Sequence, residues 1–230
     1  ENCSRWVNTI KKTNIRKLGV QEHDILKTVN SITKKSFFVS SIYTVAETMQ
    51  EAFYLAQEGR PGPVWIDIPA DIQSAIMPSG YLEFKPPVPK TNNYDVSLQG
   101  IKDLILNSER PVVLAGYGIR QANAIDEFVR LVEIYNIPFV STYGARDYVN
   151  HSHRLNIGTV GIKGSRAGNF AMQNSDVLLV LGSSLGTSVT GYDSKQFNPH
   201  AVKIVVDIDK DELNKDIVHI DYKINCGLKA

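Results

Sequence analysis

The chain has 230 residues, 43% hydrophobic and 21% charged, with 25 Lys and Arg against 24 Asp and Glu. That composition excludes a disordered tail or a fibre, and a formal net charge of +1 leaves no strong basic surface for capturing nucleic acid or an acidic membrane. Folding at this length removes roughly 70–75% of the unfolded surface from water, enough for a core without disulfide or zinc staples.

Cys3 and Cys226 stand alone and far apart with no zinc-ligand spacing, as a reducing cytoplasm would favour. No stretch approaches ~18 uninterrupted apolar residues, so no segment is expected to span a bilayer. The sequence opens at Glu1 without Met and stops at Ala230 inside what reads as a helix start, as an excised piece of a longer polypeptide would.

Thr44-Val-Ala-Glu47 has the capping-box spacing, and Val45, Met49, Ala52, Phe53 and Ala56 then fall on one helical face. Gly59 ends that helix, Pro61-Gly62-Pro63 forces a turn, and Val64 to Ile68 is a short β-rich run closed by Pro69. These elements make about half of an α/β layer, so residues 1–77 are expected to be the end of a domain. Pro78, Pro86, Pro87 and Pro89, with Ser79, Gly80, Asn92 and Asn93, predict an extended linker over 78–94.

From 95 to 230 the alternation is regular. The patterns predict a helix near Ser97–Leu106, strand Val112–Ala115, helix Asn123–Tyr135 with Ile125, Phe128, Val129 and Val132 aligned, and strand Pro138–Ser141. A helix near Arg166–Gln173 and strands Val177–Leu181 and Lys203–Asp207 follow. Apolar, non-alternating strands such as Val177 to Leu181 suit a parallel sheet covered on both faces. The expectation is a doubly wound α/β domain, whose ligands bind at the carboxyl ends of the strands.

The turns there are rich in glycine and carboxylate. Gly116 and Gly118 follow the first strand, where a missing Cβ lets backbone approach a ligand. Gly158, Gly161 and Gly164, with Ile162 among them, lead into Ser165 and a helix, so their amides could face a phosphate. Gly182 and Gly186 follow the third strand, and Asp207-Ile208-Asp209 ends a fourth, where a carboxylate commonly accepts from ribose hydroxyls. None is the strict GxGxxG fingerprint, and each is also ordinary turn punctuation. His151-Ser-His153 has no adjacent carboxylate or cysteine and reads as a solvated loop, so no metal is assigned. With no GxSxG elbow and no activated cysteine, acyl transfer has no candidate nucleophile.

Gly59-Arg-Pro-Gly-Pro-Val-Trp-Ile-Asp-Ile-Pro-Ala-Asp-Ile-Gln73 resembles the acetolactate synthase group of thiamine-diphosphate enzymes, where a GRPGPVxxDIPxDxQ stretch closes the pyrimidine-binding domain. Further pieces keep the same order: Leu18 to Glu22 with Asp24-Ile25, Ser31 to Lys34, Arg110 to Gly116, Leu181-Gly182 and Val206 to Asp209. The resemblance implies the tail of the pyrimidine domain over 1–77 and a central domain, a six-stranded parallel sheet, over 95–230. It implies a parent enzyme that uses thiamine diphosphate and Mg²⁺ on a 2-oxo acid such as pyruvate, as a homodimer or homotetramer. The cofactor-activating glutamate and the GDG…N magnesium motif fall outside the sequence, so no catalytic residue is assigned and the chain alone is expected to be inactive.

By the same resemblance, FAD in flavin-carrying members follows the strand ends, which gives Gly116, Gly118, Gly158, Gly161, Ile162, Gly182, Asp207, Ile208 and Glu212 as candidates, with Ser184 in the same row. Where those enzymes read LGxRFDDRVTG, this chain has Ser184 and Ser188 in place of both arginines, and a further family carboxylate falls on Gly227. Losing two planar cations removes charge-assisted contacts that serine cannot replace, which argues against FAD. Gln21 and Lys34 match positions that resemble channel residues near the neighbouring subunit's active site; Lys34 there would attract an anionic 2-oxo acid, and a plain surface lysine is the alternative. The competing readings are a sirtuin-like NAD-dependent deacylase, which the lack of paired CxxC ligands opposes, and a nucleotide-binding or purely structural module.

Overall fold

A computed structural model describes residues 23–88 and 98–229. The chain divides into two compact units, one within Glu1–Lys90 and one within Thr91–Ala230.

In the first unit, α1 (Ile25–Val29) precedes β1 (Lys35–Phe38), a 3₁₀ turn (Ile42–Thr44) leads into α2 (Val45–Gln57), and β2 (Val64–Asp67) runs into α3 (Ala70–Gln73). β1 and β2 pair in parallel, Lys35 opposite Val64 through Phe38 opposite Asp67. The expected capping box does not form. Thr44 makes no side-chain cap; its hydroxyl donates to Ser41 O at 3.0 Å, and Ser41 Oγ instead accepts from Tyr43 N at the start of the 3₁₀ turn. The expected apolar face of α2 is also displaced. Ala52 is buried, but Met49 and Phe53 are 48% and 71% exposed. Tyr54 packs its ring 5.5 Å from Phe84, whose amide donates to Gln50 Oε1, and Leu82 N donates to Tyr43 O. The first part of the proline-rich stretch is therefore hydrogen-bonded to this unit.

The second unit contains α4 (Leu98–Leu106), β3 (Pro111–Ala115), α5 (Gly118–Gln121), α6 (Ile125–Tyr135), β4 (Phe139–Ser141), β5 (Asn156–Thr159), α7 (Arg166–Gln173), β6 (Val177–Leu181), α8 (Thr187–Thr190), β7 (Val202–Asp207), α9 (Lys210–Asn214) and β8 (Tyr222–Asn225). The strands form one parallel sheet in the order β5-β4-β3-β6-β7-β8. From β3 the chain winds outward to β5, returns beside β3 with β6, and winds out the other way to β8. This is the doubly wound architecture expected from the sequence, with its topological switch point between β3 and β6.

Each central strand feeds two cores. Val177, Leu179 and Leu181 of β6 face one side with Val113, Ile204, Phe128 and Val132. Leu178 and Val180 face the other with Val112, Leu114, Val205, Met172 and Leu213. A strand buried on both faces needs apolar residues at every position, which is why these segments lack alternation. α6 ends at Asn136, whose left-handed φ of 51° lets Ile137 N return to Val132 O.

Two polar side chains at the amino end of the sheet have energetic consequences. Asp176 accepts from the amides of Glu109 (2.8 Å) and Arg110 (2.9 Å), tying the approach to β3 to that of β6. Burial alone would raise its pKa, but these amides outweigh that and hold it below the usual 3.8. A depressed carboxylate contributes stability above its unfolded pKa and loses it as pH falls through the folded one. Asp176→Ala is expected to cost about 2–3 kcal/mol at pH 7, and urea titrations below pH 3.8 should show the gap narrowing.

Lys203 in β7 is only 4% exposed, and its ammonium donates to Ala201 O at 3.1 Å. Burial lowers its pKa from 10.5, against the opposing charge of Asp221. The unfolded chain therefore binds more protons as pH rises toward 10.5, and folded stability gains over that interval. Lys203→Met is expected to raise stability at pH 7 by about 1 kcal/mol, because an apolar isostere removes a buried charge. Urea melts of the two proteins should converge as pH approaches 10.5.

Candidate functional site

Because every strand of the second unit is parallel, all the strand-end turns lie along one edge. Three groups of expected residues form there.

At the switch point, Gly116 N donates to Leu181 O and Gly118 N to Gly182 O, at 2.8 and 2.9 Å. A Cβ on Gly116 would lie 2.1 Å from Gly182 O, and one on Gly118 would lie 2.7 Å from Gly182 Cα. These glycines are required where two turns touch backbone to backbone. Tyr148 reinforces the contact: its hydroxyl donates to Gly116 O at 2.9 Å and accepts from Arg120 N at 3.3 Å. Arg120 lies over the Tyr148 ring and pairs with Asp147 at 2.7 Å. Burial pushes the Tyr148 phenol above its usual pKa, so it stays a neutral donor at physiological pH. No motif around Tyr148 signalled this role.

The second group lies on the loop between β5 and α7. Gly158 and Gly161 have φ of 129° and 92°, and a Cβ on Gly161 would strike Ser188 O at 2.2 Å. Ile162 N donates to Ser188 O, Gly164 N to Gly161 O and Ser165 N to Thr159 O. Gly158 N donates to Asn156 Oδ1. Asn169 grips Gly161 twice, accepting from its amide at 2.8 Å and donating to its carbonyl at 3.1 Å. Ser165 caps α7 by accepting from Gly168 N. The expected row of phosphate-facing amides is thus largely used inside the fold, and Ile162 projects outward.

The third group surrounds a recess lined by Ser184, Asp207, Glu212, Lys215 and apolar neighbours, with room for about one water molecule. Asp207 Oδ1 accepts from Asp209 N at 2.9 Å, and Asp209 caps α9 by accepting from Asp211 N. Asn225 donates to the carbonyls of Asp207 and of Ile208, whose side chain is half exposed. Lys215, absent from the sequence-based candidates, donates to Ser184 O and pairs with Glu212 at 2.5 Å. A lysine just past a short helix carries no motif, so only three-dimensional proximity reveals it.

Lys34, expected as a channel residue, is bonded within the first unit. Its ammonium donates to Glu58 O (2.7 Å) and Arg60 O (3.0 Å), its amide donates to Pro63 O, and its stem lies against Gly62. It fastens the Gly-Arg-Pro-Gly-Pro turn and places its ammonium at the carbonyl end of α2. Gln21 lies outside the described residues. His153, read as solvated, has a carboxylate partner after all: Nε2 lies 3.2 Å from Glu133 Oε1 while Nδ1 accepts from Leu155 N.

The family model for the thiamine pyrophosphate enzyme central domain matches residues 98–229. The chain belongs to the thiamine pyrophosphate enzyme family. It is 36% identical over 203 residues to a probable acetolactate synthase large subunit of Methanocaldococcus jannaschii, covering 86% of this chain and 34% of that protein. Against the acetolactate synthase isozyme 1 large subunit of Escherichia coli it is 36% identical over 199 residues, 85% of the chain and 34% of the relative. Against the acetolactate synthase large subunit of Lactococcus lactis it is 34% identical over 223 residues, 94% and 38%. The chain spans about a third of the length of these curated relatives. The second unit is thus a thiamine pyrophosphate enzyme central domain, and the deacylase reading finds no support.

Proposed function

We propose that the chain is the central region of a thiamine-diphosphate-dependent enzyme that decarboxylates a 2-oxo acid such as pyruvate and joins the product to a second carbonyl compound. The observation that carries this reading is the extent of the likeness. The 203 residues matched to an acetolactate synthase subunit exceed the central-domain span of 98–229, so the resemblance continues into the first unit. There it meets the Gly59 to Gln73 motif, which we read as the close of a pyrimidine-binding domain over 1–77, joined by 78–94 to the central domain.

Thiamine diphosphate supplies the carbanion chemistry in such enzymes. Among the described residues no group of three or more His, Cys, Asp or Glu side chains could hold a metal ion, and the strand-end carboxylates serve their own turns and Lys215. These residues do not fit a Mg²⁺-diphosphate site, so we place both groups on parts of the enzyme outside them. The role left to the two units is scaffold, subunit contact and channel wall, in a homodimer or homotetramer acting on a small anionic substrate. Among the described residues no helix is long and apolar enough to cross a membrane, in keeping with the cytoplasmic setting we favour.

The test is a pyruvate-consumption assay on the longer polypeptide read from the same frame. Consumption that requires both thiamine diphosphate and Mg²⁺ is the expected result. A longer product that consumes no 2-oxo acid, or does so without thiamine diphosphate, would overturn the proposal.

A further inference from the structure

We infer that the strand-end crevice of the central domain is shut by the chain's own groups and takes up no flavin or other dinucleotide. A dinucleotide at a switch point needs open backbone at the glycines, donors or cations for two phosphates, and space for a ring. The glycine backbone and the charge of the described residues do not meet these needs. Gly116, Gly118 and Gly182 face one another at contact distance, so the surface their missing Cβ atoms leave is already covered by backbone. The recess beside them holds about one water.

Its charge is also wrong for a diphosphate. Among the described residues that line it, Asp207 and Glu212 are the carboxylates and Lys215 is the one cation. That ammonium is engaged by Glu212 and the Ser184 carbonyl, so an incoming phosphate would have to break a charge-assisted pair and then sit between two carboxylates. Ser184 and Ser188 offer only hydroxyls where planar, bidentate cations would be needed. Ser188 has its carbonyl committed to Ile162 N, which fixes the loop across the crevice. Lys215 is therefore a latch: it joins the turn after β6 to α9 through the Ser184 carbonyl and Glu212. Any reaction supported by this domain proceeds without flavin.

The test is a titration of FAD into the purified chain, followed by flavin fluorescence anisotropy, alongside an S184R/S188R/K215A variant. Circular dichroism shows that both are folded. The wild type should give no saturable signal up to ~100 μM FAD, while the variant should bind at least about tenfold more tightly, a difference that restored phosphate contacts readily supply. Saturable binding by the wild type would overturn the inference. A folded variant that binds no better than wild type would overturn the assignment of closure to these three positions. Neither result bears on the thiamine-dependent reading, because the titration reports only the flavin crevice.

Discussion

Gly116→Ala is expected to lower the stability of the central domain by about 3 kcal/mol or more, among the larger costs of a single methyl group. The added carbon would lie 2.1 Å from Gly182 O, 2.4 Å from Gly182 C and 2.6 Å from Ser183 N. All three are backbone atoms, and no rotamer change can move them aside. Relief requires β3 and β6 to separate at their carboxyl ends, breaking the bonds from Gly116 N to Leu181 O and from Gly118 N to Gly182 O. It would also free the Tyr148 hydroxyl, which donates to Gly116 O. Gly227→Ala is the control: its Cβ would meet nothing within 4 Å, so the change should stay within about 0.5 kcal/mol. Urea denaturation of the two variants beside wild type measures the contrast, and equal costs would refute the proposed backbone contact.

Asn198→Asp is the second large effect. Asn198 is fully buried with φ at 41°, a left-handed geometry that asparagine tolerates. Its Nδ2 donates to Met172 O at 2.6 Å and to Ser175 Oγ at 2.7 Å, and its amide donates to Gln173 Oε1 at 2.6 Å. The side chain thus ties the end of α7 to the turn that feeds β7. Placing Oδ1 against the Met172 carbonyl would set acceptor against acceptor, which fixes the amide orientation. Aspartate changes only the NH₂ group, so the substitution isolates those two bonds and adds a buried charge. The expected loss is about 3–5 kcal/mol at pH 7. It should shrink on acidification, because protonation removes the charge and restores a donor. Melting temperatures at pH 7 and pH 4 check both the size and the sign; a pH-independent loss would show that charge burial is not the cause.

The central strands were legible because their physics is one-dimensional. A strand covered on both faces must be apolar throughout, so β3 and β6 stand out, and α6 shows its stripe of Ile125, Phe128, Val129 and Val132. The edges were not legible. β5 reads Asn-Ile-Gly-Thr with no fully buried residue, and β8 reads Tyr-Lys-Ile-Asn with only Ile224 buried. Edge strands follow the pairing their neighbours impose, not an apolar pattern of their own. β1 escaped as well: of Lys35-Ser-Phe-Phe38 only Phe37 is buried, so no apolar run marks it.

Site residues divide along a similar line. Glycine marks places where backbone comes close to something, and the sequence located those places correctly along the sheet edge. What comes close was invisible: for Gly116 and Gly118 it is Gly182, for Gly161 it is Ser188, and for Gly62 it is Lys34. Lys34, Tyr148 and Lys215 each act on residues 24 to 32 positions away, a distance over which no local pattern reports. On α2 the face of Val45, Met49, Ala52, Phe53 and Ala56 was predicted from helical period alone; Ala52 of that face is buried, whereas Tyr54 and Gln50, outside it, make the contacts to Phe84.

In the proposed function these two units hold an enzyme together while its reacting groups are carried elsewhere. Purified chain incubated with pyruvate, thiamine diphosphate and Mg²⁺, with carbon dioxide release followed over time, tests it most directly. Release no faster than in the same mixture without protein is the expected result. Sustained, protein-dependent release that stops when thiamine diphosphate is withheld would contradict it.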